Sequence, residues 1–167
     1  MAESSGTSPH AVKPWALVLA AGQGSRMAES TGGTAKQFLP WRGVPLFWHA
    51  ARAMSRSACV AGIVFVFPAS QLDEANEILA DLHKHDDLGL PWVTASGGVL
   101  RQDSVRLGLA ALPVRPASVL VHDAARPFLS PALVRSVCQE LAQGAAGVIP
   151  AISVTDTIKT VENGRVT

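Results

Sequence analysis

Two basic residues follow a glycine turn near the start of the chain: Arg26 in "LAAGQGSRM" and Lys36 in "AKQF". Glycines let the backbone approach a ligand and aim its N–H groups at phosphate oxygens. A guanidinium adds charge-assisted hydrogen bonds to the same oxygens. This combination suits a polyphosphate. It is not a Walker A loop, because no Gly-Lys-Ser/Thr follows. It is also a poor dinucleotide fingerprint. Met27 stands at the third glycine position, and Pro68 and Ala69, not an acid, follow the next strand. A Rossmann dehydrogenase is disfavoured on both counts. Taken alone, the G-x-G reads as a plain βα turn and Lys36 as a solvated surface lysine.

Three more clusters carry polar groups. In "SGGVLRQDSV", Gly97 and Gly98 make a tight turn and Ser104 comes early in the next helix. Such a turn can frame a flat base, and is about equally a helix-start loop. In "VHDAARP", Asp123 stands at the end of an apolar run with Arg126 three residues on. That carboxylate suits a ribose hydroxyl or a magnesium ion, and also suits an Asp–Arg pair that shapes the loop. His122 alternates away from Asp123 and reads as structural. Near the end, Asp156, Thr157 and Lys159 offer groups for a second anionic substrate, or the polar face of an ordinary strand.

The elements that position these residues alternate between strand and helix. Apolar runs at 16–20, 62–67, 92–96, 118–123 and 146–151 predict five strands. Helical patterns fill 45–55, 70–82, 102–112 and 130–142. Pro45 suits a first turn, Ser70 and Asp73 a capping box, and Ser130-Pro131 a cap and first position. Leu72, Ala75, Ile78, Leu79 and Leu82 share one face of the second helix. Strands spaced by helices imply βαβ units and a mostly parallel sheet, a Rossmann-like α/β three-layer sandwich. In such sheets ligands bind beyond the carboxyl ends of the strands. All the clusters above stand there.

Residues 1–14, rich in Ser, Gly and Pro, predict a mobile tail, and 15–167 a single domain. The 167 residues carry a net charge of +1, so neither nucleic acid nor an anionic membrane is the expected partner. No apolar run reaches the length of a membrane span. "WALVLAA" after Lys13 imitates a secretory leader, but a βα loop explains its glycines better. Cys59 and Cys138, without a CxxC, read as reduced, partly buried thiols of a cytoplasmic protein. Asn163-Gly164 signals a hairpin. Its return strand is only three residues long, which predicts a truncated domain with an incomplete C-terminal arm.

The order "LAAGQGSRM", "KQF", "GGVLRQDSV", "VHDAARPF", "VTDTIK" resembles the 2-C-methyl-D-erythritol 4-phosphate cytidylyltransferases of non-mevalonate isoprenoid synthesis, from about Trp15 to the end. The first motif is shared by many nucleotidyltransferases; "VHDAARP" is far more specific. The resemblance implies transfer of CMP from CTP to methylerythritol phosphate with Mg²⁺, releasing pyrophosphate. It implies that Arg26 and Lys36 stabilise charge on the triphosphate and transition state, and that Ala20, Ala21, Gly22 and Gly24 wrap CTP. Gly98 and Ser104 would read cytosine. Asp123 would meet the ribose or metal, beside Ala124, and Arg126 and Thr157 would face the methylerythritol phosphate. A homodimer of the complete protein is implied as well.

Two departures accompany the resemblance. The segment between Met27 and Lys36 is long for the family, and Ala35 replaces a common proline. The family's further basic residues, on or after the hairpin arm, lie downstream of this chain. A cytidylyltransferase for another polyol phosphate, such as ribitol phosphate, would keep the same nucleotide loops. A non-catalytic nucleotide-binding module would not need both Arg26 and Lys36.

Overall fold

Five apolar residues, Trp15–Leu19, form the central strand β1, and every one is buried. The computed structural model describes residues 13–22 and 35–166. A 3₁₀ turn at Lys36–Phe38 leads into the short strands β2 (Pro40–Trp41) and β3 (Val44–Pro45). Then come α1 (Leu46–Ser57), β4 (Gly62–Phe67), α2 (Leu72–His85), β5 (Trp92–Ser96), α3 (Arg101–Ala110), β6 (Val119–Asp123) and α4 (Pro131–Ala142). A hairpin of β7 (Val161–Glu162) and β8 (Arg165–Val166) turns on Asn163 and Gly164, both at positive φ.

The main sheet has the order β5-β4-β1-β6, and all its pairings are parallel. Trp15 pairs with Gly62 on one side and Val119 on the other. Alternation of side chains then sorts β1 into two layers. Ala16 and Val18 join Phe47, Trp48, Phe65, Phe67, Leu79 and Val134, so α1, α2 and α4 cover one face. Trp15, Leu17 and Leu19 face the opposite way with Val64 and Val66, under Val105 of α3. This is the expected three-layer α/β sandwich.

Gly108 brings α3 close to the sheet. A Cβ there would lie 2.9 Å from Leu17 and Val66 side-chain atoms. The predicted apolar stripe of α2 lies against the first core layer, with Ala75 and Leu79 fully buried. Ser130 caps α4, accepting from the Leu133 N–H at 3.1 Å.

Two expectations do not hold. Residues 146–151 form no strand; they are largely exposed, with Ile149 at 89%. A strand needs a ladder partner. Among the described residues the segment has no pairing strand, and Pro150 would withhold a donor. At the start of α2, the Ser70–Asp73 capping box is absent. Gln71 occupies the N-cap without a side-chain cap bond. A 3₁₀ turn intervenes, in which the Gln71 N–H donates to the Pro68 carbonyl at 3.0 Å.

A partly buried polar link joins α1 to the end of α2. The Trp48 indole N–H donates to Asp86 Oδ2 at 2.6 Å, and Arg52 pairs with the same carboxylate. Burial opposes the Asp86 charge, but Trp48 and Arg52 outweigh it and hold its pKa below the ordinary 3.8. A lowered folded pKa contributes stability that is present above the unfolded value and lost as pH falls through the folded one. Urea melts of Asp86→Asn should therefore show a deficit that is constant above about pH 5 and shrinks below about pH 4. A deficit independent of pH would contradict this link.

Candidate functional site

The chain reverses direction across the sheet between β1 and β6, and that is where a parallel sheet opens a crevice at its carboxyl edge. A cleft of about 450 Å³ lies there. Leu19, Ala21 and Gly22 after β1, Gly98 to Arg101 and Ser104 after β5, and Asp123, Ala125 and Arg126 after β6 line it, together with Gln37. Three loops far apart in sequence thus meet in one place.

Backbone hydrogen bonds fix the floor. The Ala20 N–H donates to the Val66 carbonyl at 2.8 Å, and the Ala124 N–H to the Leu19 carbonyl at 2.9 Å. Ala20 and Ala124 are almost fully buried beneath the lining. They shape the cleft and do not line it. Ala21 and Gly22 do.

The β5 wall is a closed turn. The Gly97 N–H donates to the Phe67 carbonyl at 2.7 Å, and the Gly98 N–H to Ser104 Oγ at 3.1 Å. Ser104 is buried, so its hydroxyl chiefly pins this turn. Leu100 and Asp103 complete the helix start, with the Leu100 N–H donating to Asp103 Oδ2 at 3.1 Å. A Cβ on Gly97 would stand 2.3 Å from the Cβ of Ala21, and one on Gly98 2.3 Å from that of Asp103. A side chain at either position would force a neighbouring part of the cleft wall to shift.

The third wall is electrostatic. Arg101 Nε donates to Asp123 Oδ1 at 3.0 Å, and Arg126 Nε lies 3.5 Å from Asp123 Oδ2. One carboxylate thus aligns two guanidiniums along the cleft. The trio keeps a net positive charge, which suits an anionic ligand. His122 Nε2 lies 2.9 Å from the Arg126 carbonyl oxygen, and burial lowers its pKa. Its role is structural, as its alternation from Asp123 predicts.

Gln37 is buried, and its amide donates to the Gly22 carbonyl at 3.1 Å. Phe38 stacks on Phe67 at 5.6 Å between ring centroids. These neighbours pin the 3₁₀ turn that carries Lys36. Lys36 itself is half-buried, and it is Gln37, not Lys36, that lines the cleft. Gly24 and Arg26 lie outside the described residues. Thr157 sits on the exposed segment after α4 and does not line the cleft.

Sequence reasoning passed over Arg101 and Gln37, and read Gly97 only as part of a tight turn. Arg101 carried a legible signal. A cation in the first turn of a helix opposes the helix dipole and needs an anion to hold it, here Asp123. Gln37 and Gly97 show their roles only once the loops meet.

A magnesium ion on a triphosphate takes one or two carboxylates and completes its shell with phosphates and water. Among the described residues, Asp123 is the acidic residue lining the cleft, and its carboxylate, shared by Arg101 and Arg126, could join such a shell by giving up one of these partners. Among the described residues, no group of three His, Cys, Asp or Glu is placed to hold a metal by protein alone.

The family profile of 2-C-methyl-D-erythritol 4-phosphate cytidylyltransferase matches residues 15–167. A bifunctional enzyme IspD/IspF of Oleidesulfovibrio alaskensis is 53% identical over 152 residues, covering 91% of this chain and 38% of that protein. A 2-C-methyl-D-erythritol 4-phosphate cytidylyltransferase of Streptomyces avermitilis is 38% identical, covering 99% of this chain and 64% of that one. The chain therefore spans less than two thirds of the length of either relative. The crystal structure of 4-diphosphocytidyl-2C-methyl-D-erythritol synthase from Anaerococcus prevotii superposes with a TM-score of 0.74 at 25% identity, over 93% of this chain and 63% of that one. The profile match begins at the first residue of β1 and takes in all three walls of the cleft, and so this chain belongs to the 2-C-methyl-D-erythritol 4-phosphate cytidylyltransferase family.

Proposed function

We propose that this chain supplies the nucleotide-binding part of a cytoplasmic cytidylyltransferase. It would transfer CMP from CTP to 2-C-methyl-D-erythritol 4-phosphate, giving 4-diphosphocytidyl-2-C-methyl-D-erythritol and pyrophosphate. One observation carries the reading: the loops after β1, β5 and β6 converge on one cleft with two guanidiniums aligned on Asp123. Family membership supplies the choice of CTP and acceptor.

In this reading CTP lies across the carboxyl ends of β1 and β6. Its base sits at the turn closed by Gly98 and Ser104, and its triphosphate extends over Ala21 and Gly22. An oxygen of the acceptor's phosphate attacks the α-phosphorus in line. The new P–O bond forms as the bond to the β-phosphate oxygen breaks, and pyrophosphate leaves. No covalent help from the protein is needed, so positioning and charge stabilisation supply the rate. Lys36 and Arg26 stabilise the negative charge that builds on the transferring group. Arg126, at the cleft's rim, meets the acceptor phosphate, with Thr157 brought in beside it. Mg²⁺, held by Asp123 and the phosphates, would add charge neutralisation on the leaving group. A homodimer of the complete protein through the hairpin arm belongs to the same proposal; Val161 and Val166 on that arm are exposed.

Pyrophosphate release from CTP tests the acceptor. Release is expected only when methylerythritol phosphate is present. Release with ribitol phosphate instead would reassign the acceptor, and release with neither would favour a binding module.

A further inference from the structure

Two thiols lie together away from the cleft. Cys59 follows α1 by two residues, and Cys138 lies two turns into α4. The residue between α1 and Cys59, Ala58, caps the helix at φ 59° and reverses the chain there. Helices α1 and α4 pack on the same face of the sheet, and this brings both cysteines to one apolar groove of about 890 Å³ beside β6. Both thiols are free and half-buried. The Cys59 side chain neighbours the Cys138 thiol, while its own Sγ donates to the Ser57 carbonyl at 3.3 Å. No residue of the cleft described above lines this groove.

We propose that Cys59 and Cys138 are a site of reversible oxidation, closing to an intramolecular disulfide that staples α1 to α4 when the chain meets hydrogen peroxide. Burial and the neighbouring Cys59 push the Cys138 thiol above its ordinary pKa. Cys138 therefore stays protonated and acts second. The Cys59 sulfur attacks the peroxide, the O–O bond breaks, and a sulfenic acid and one water result. The Cys138 sulfur then attacks the Cys59 sulfur, the S–O bond breaks, and the departing hydroxide takes the Cys138 proton as a second water. Two thiols lose two electrons and the peroxide gains them. The staple closes a long loop and constrains the unfolded chain, so it raises stability. It leaves the nucleotide cleft untouched.

The test is oxidation of the reduced chain by peroxide, followed by alkylation, proteolysis and mass spectrometry. A monomer lighter by two hydrogen atoms, a peptide linked between Cys59 and Cys138, and reversal by dithiothreitol are expected. The melting midpoint should rise by roughly 5 °C or more. Cys138→Ser should keep the reduced chain's midpoint and show neither change. Full alkylation of both thiols after peroxide would overturn the proposal. So would oxygen added to the thiols without a link, links only between chains, or a linked chain with an unchanged midpoint.

Discussion

Alanine at Gly97 should weaken CTP binding and lower turnover by about 100-fold or more while the chain still folds. The added Cβ would stand 2.3 Å from that of Ala21 and 3.0 Å from Ser104 Oγ. Real atoms cannot remain there, so a wall must move. The Gly97 N–H is tied to the Phe67 carbonyl at the end of the fully buried β4. Ala21, half-buried beyond the end of β1, yields more easily. The two walls of the cleft then part by a fraction of an ångström or more. Overpacking of this kind costs stability by about 1–3 kcal/mol, which a melting curve will register without loss of fold. The effect on turnover is larger because the cleft's residues position CTP together, and a misplacement of about 1 Å costs roughly 100-fold in rate. Normal CTP affinity in Gly97→Ala would mean that the β1 and β5 loops do not jointly hold the nucleotide.

Lys36→Ala should lower turnover by about 10²–10³-fold, the usual loss on removing one group that stabilises transition-state charge. Its fold should be spared. The anchoring of the 3₁₀ turn falls to its neighbours, with Gln37 on the Gly22 carbonyl and Phe38 against Phe67. Surface or half-buried side chains without such ties usually change stability by under about 0.5 kcal/mol. The split between parameters matters here. If Lys36 acts on the transition state, kcat falls with little change in CTP affinity. If affinity falls alone, Lys36 holds the ground-state triphosphate; unchanged turnover would remove it from the mechanism.

Much of the scaffold is legible in the chain because burial on both faces leaves a plain pattern. "GIVFVF" has no alternative to a buried strand, and β4 covers all six residues. Leu72, Ala75, Ile78, Leu79 and Leu82 likewise announce the inner face of α2. Residues 146–151 carry the same apolar signal yet form no strand, because pattern reports burial preference and not the presence of a partner edge. The site was legible where its residues share a loop, as in Asp123 and Arg126. It was less so where partners come from different elements. Ser104 is visible as a polar residue near a glycine turn, but only the folded turn shows its hydroxyl accepting from Gly98. Gly97 looks like turn punctuation until Ala21 is placed against it. Arg101 is the instructive case: its charge is wrong for the first turn of a helix, and Asp123 resolves that conflict at 3.0 Å.

Under the proposed function, the cleft between β1 and β6 reads a cytidine nucleotide. Calorimetric titration of the chain with CTP, UTP, ATP and GTP, each with Mg²⁺, tests it most directly. Saturable CTP binding is expected, at least about 10-fold tighter than that of the other three, a difference of roughly 1.4 kcal/mol. Equal affinity for all four nucleotides, or no binding by a chain shown to be folded, would contradict it.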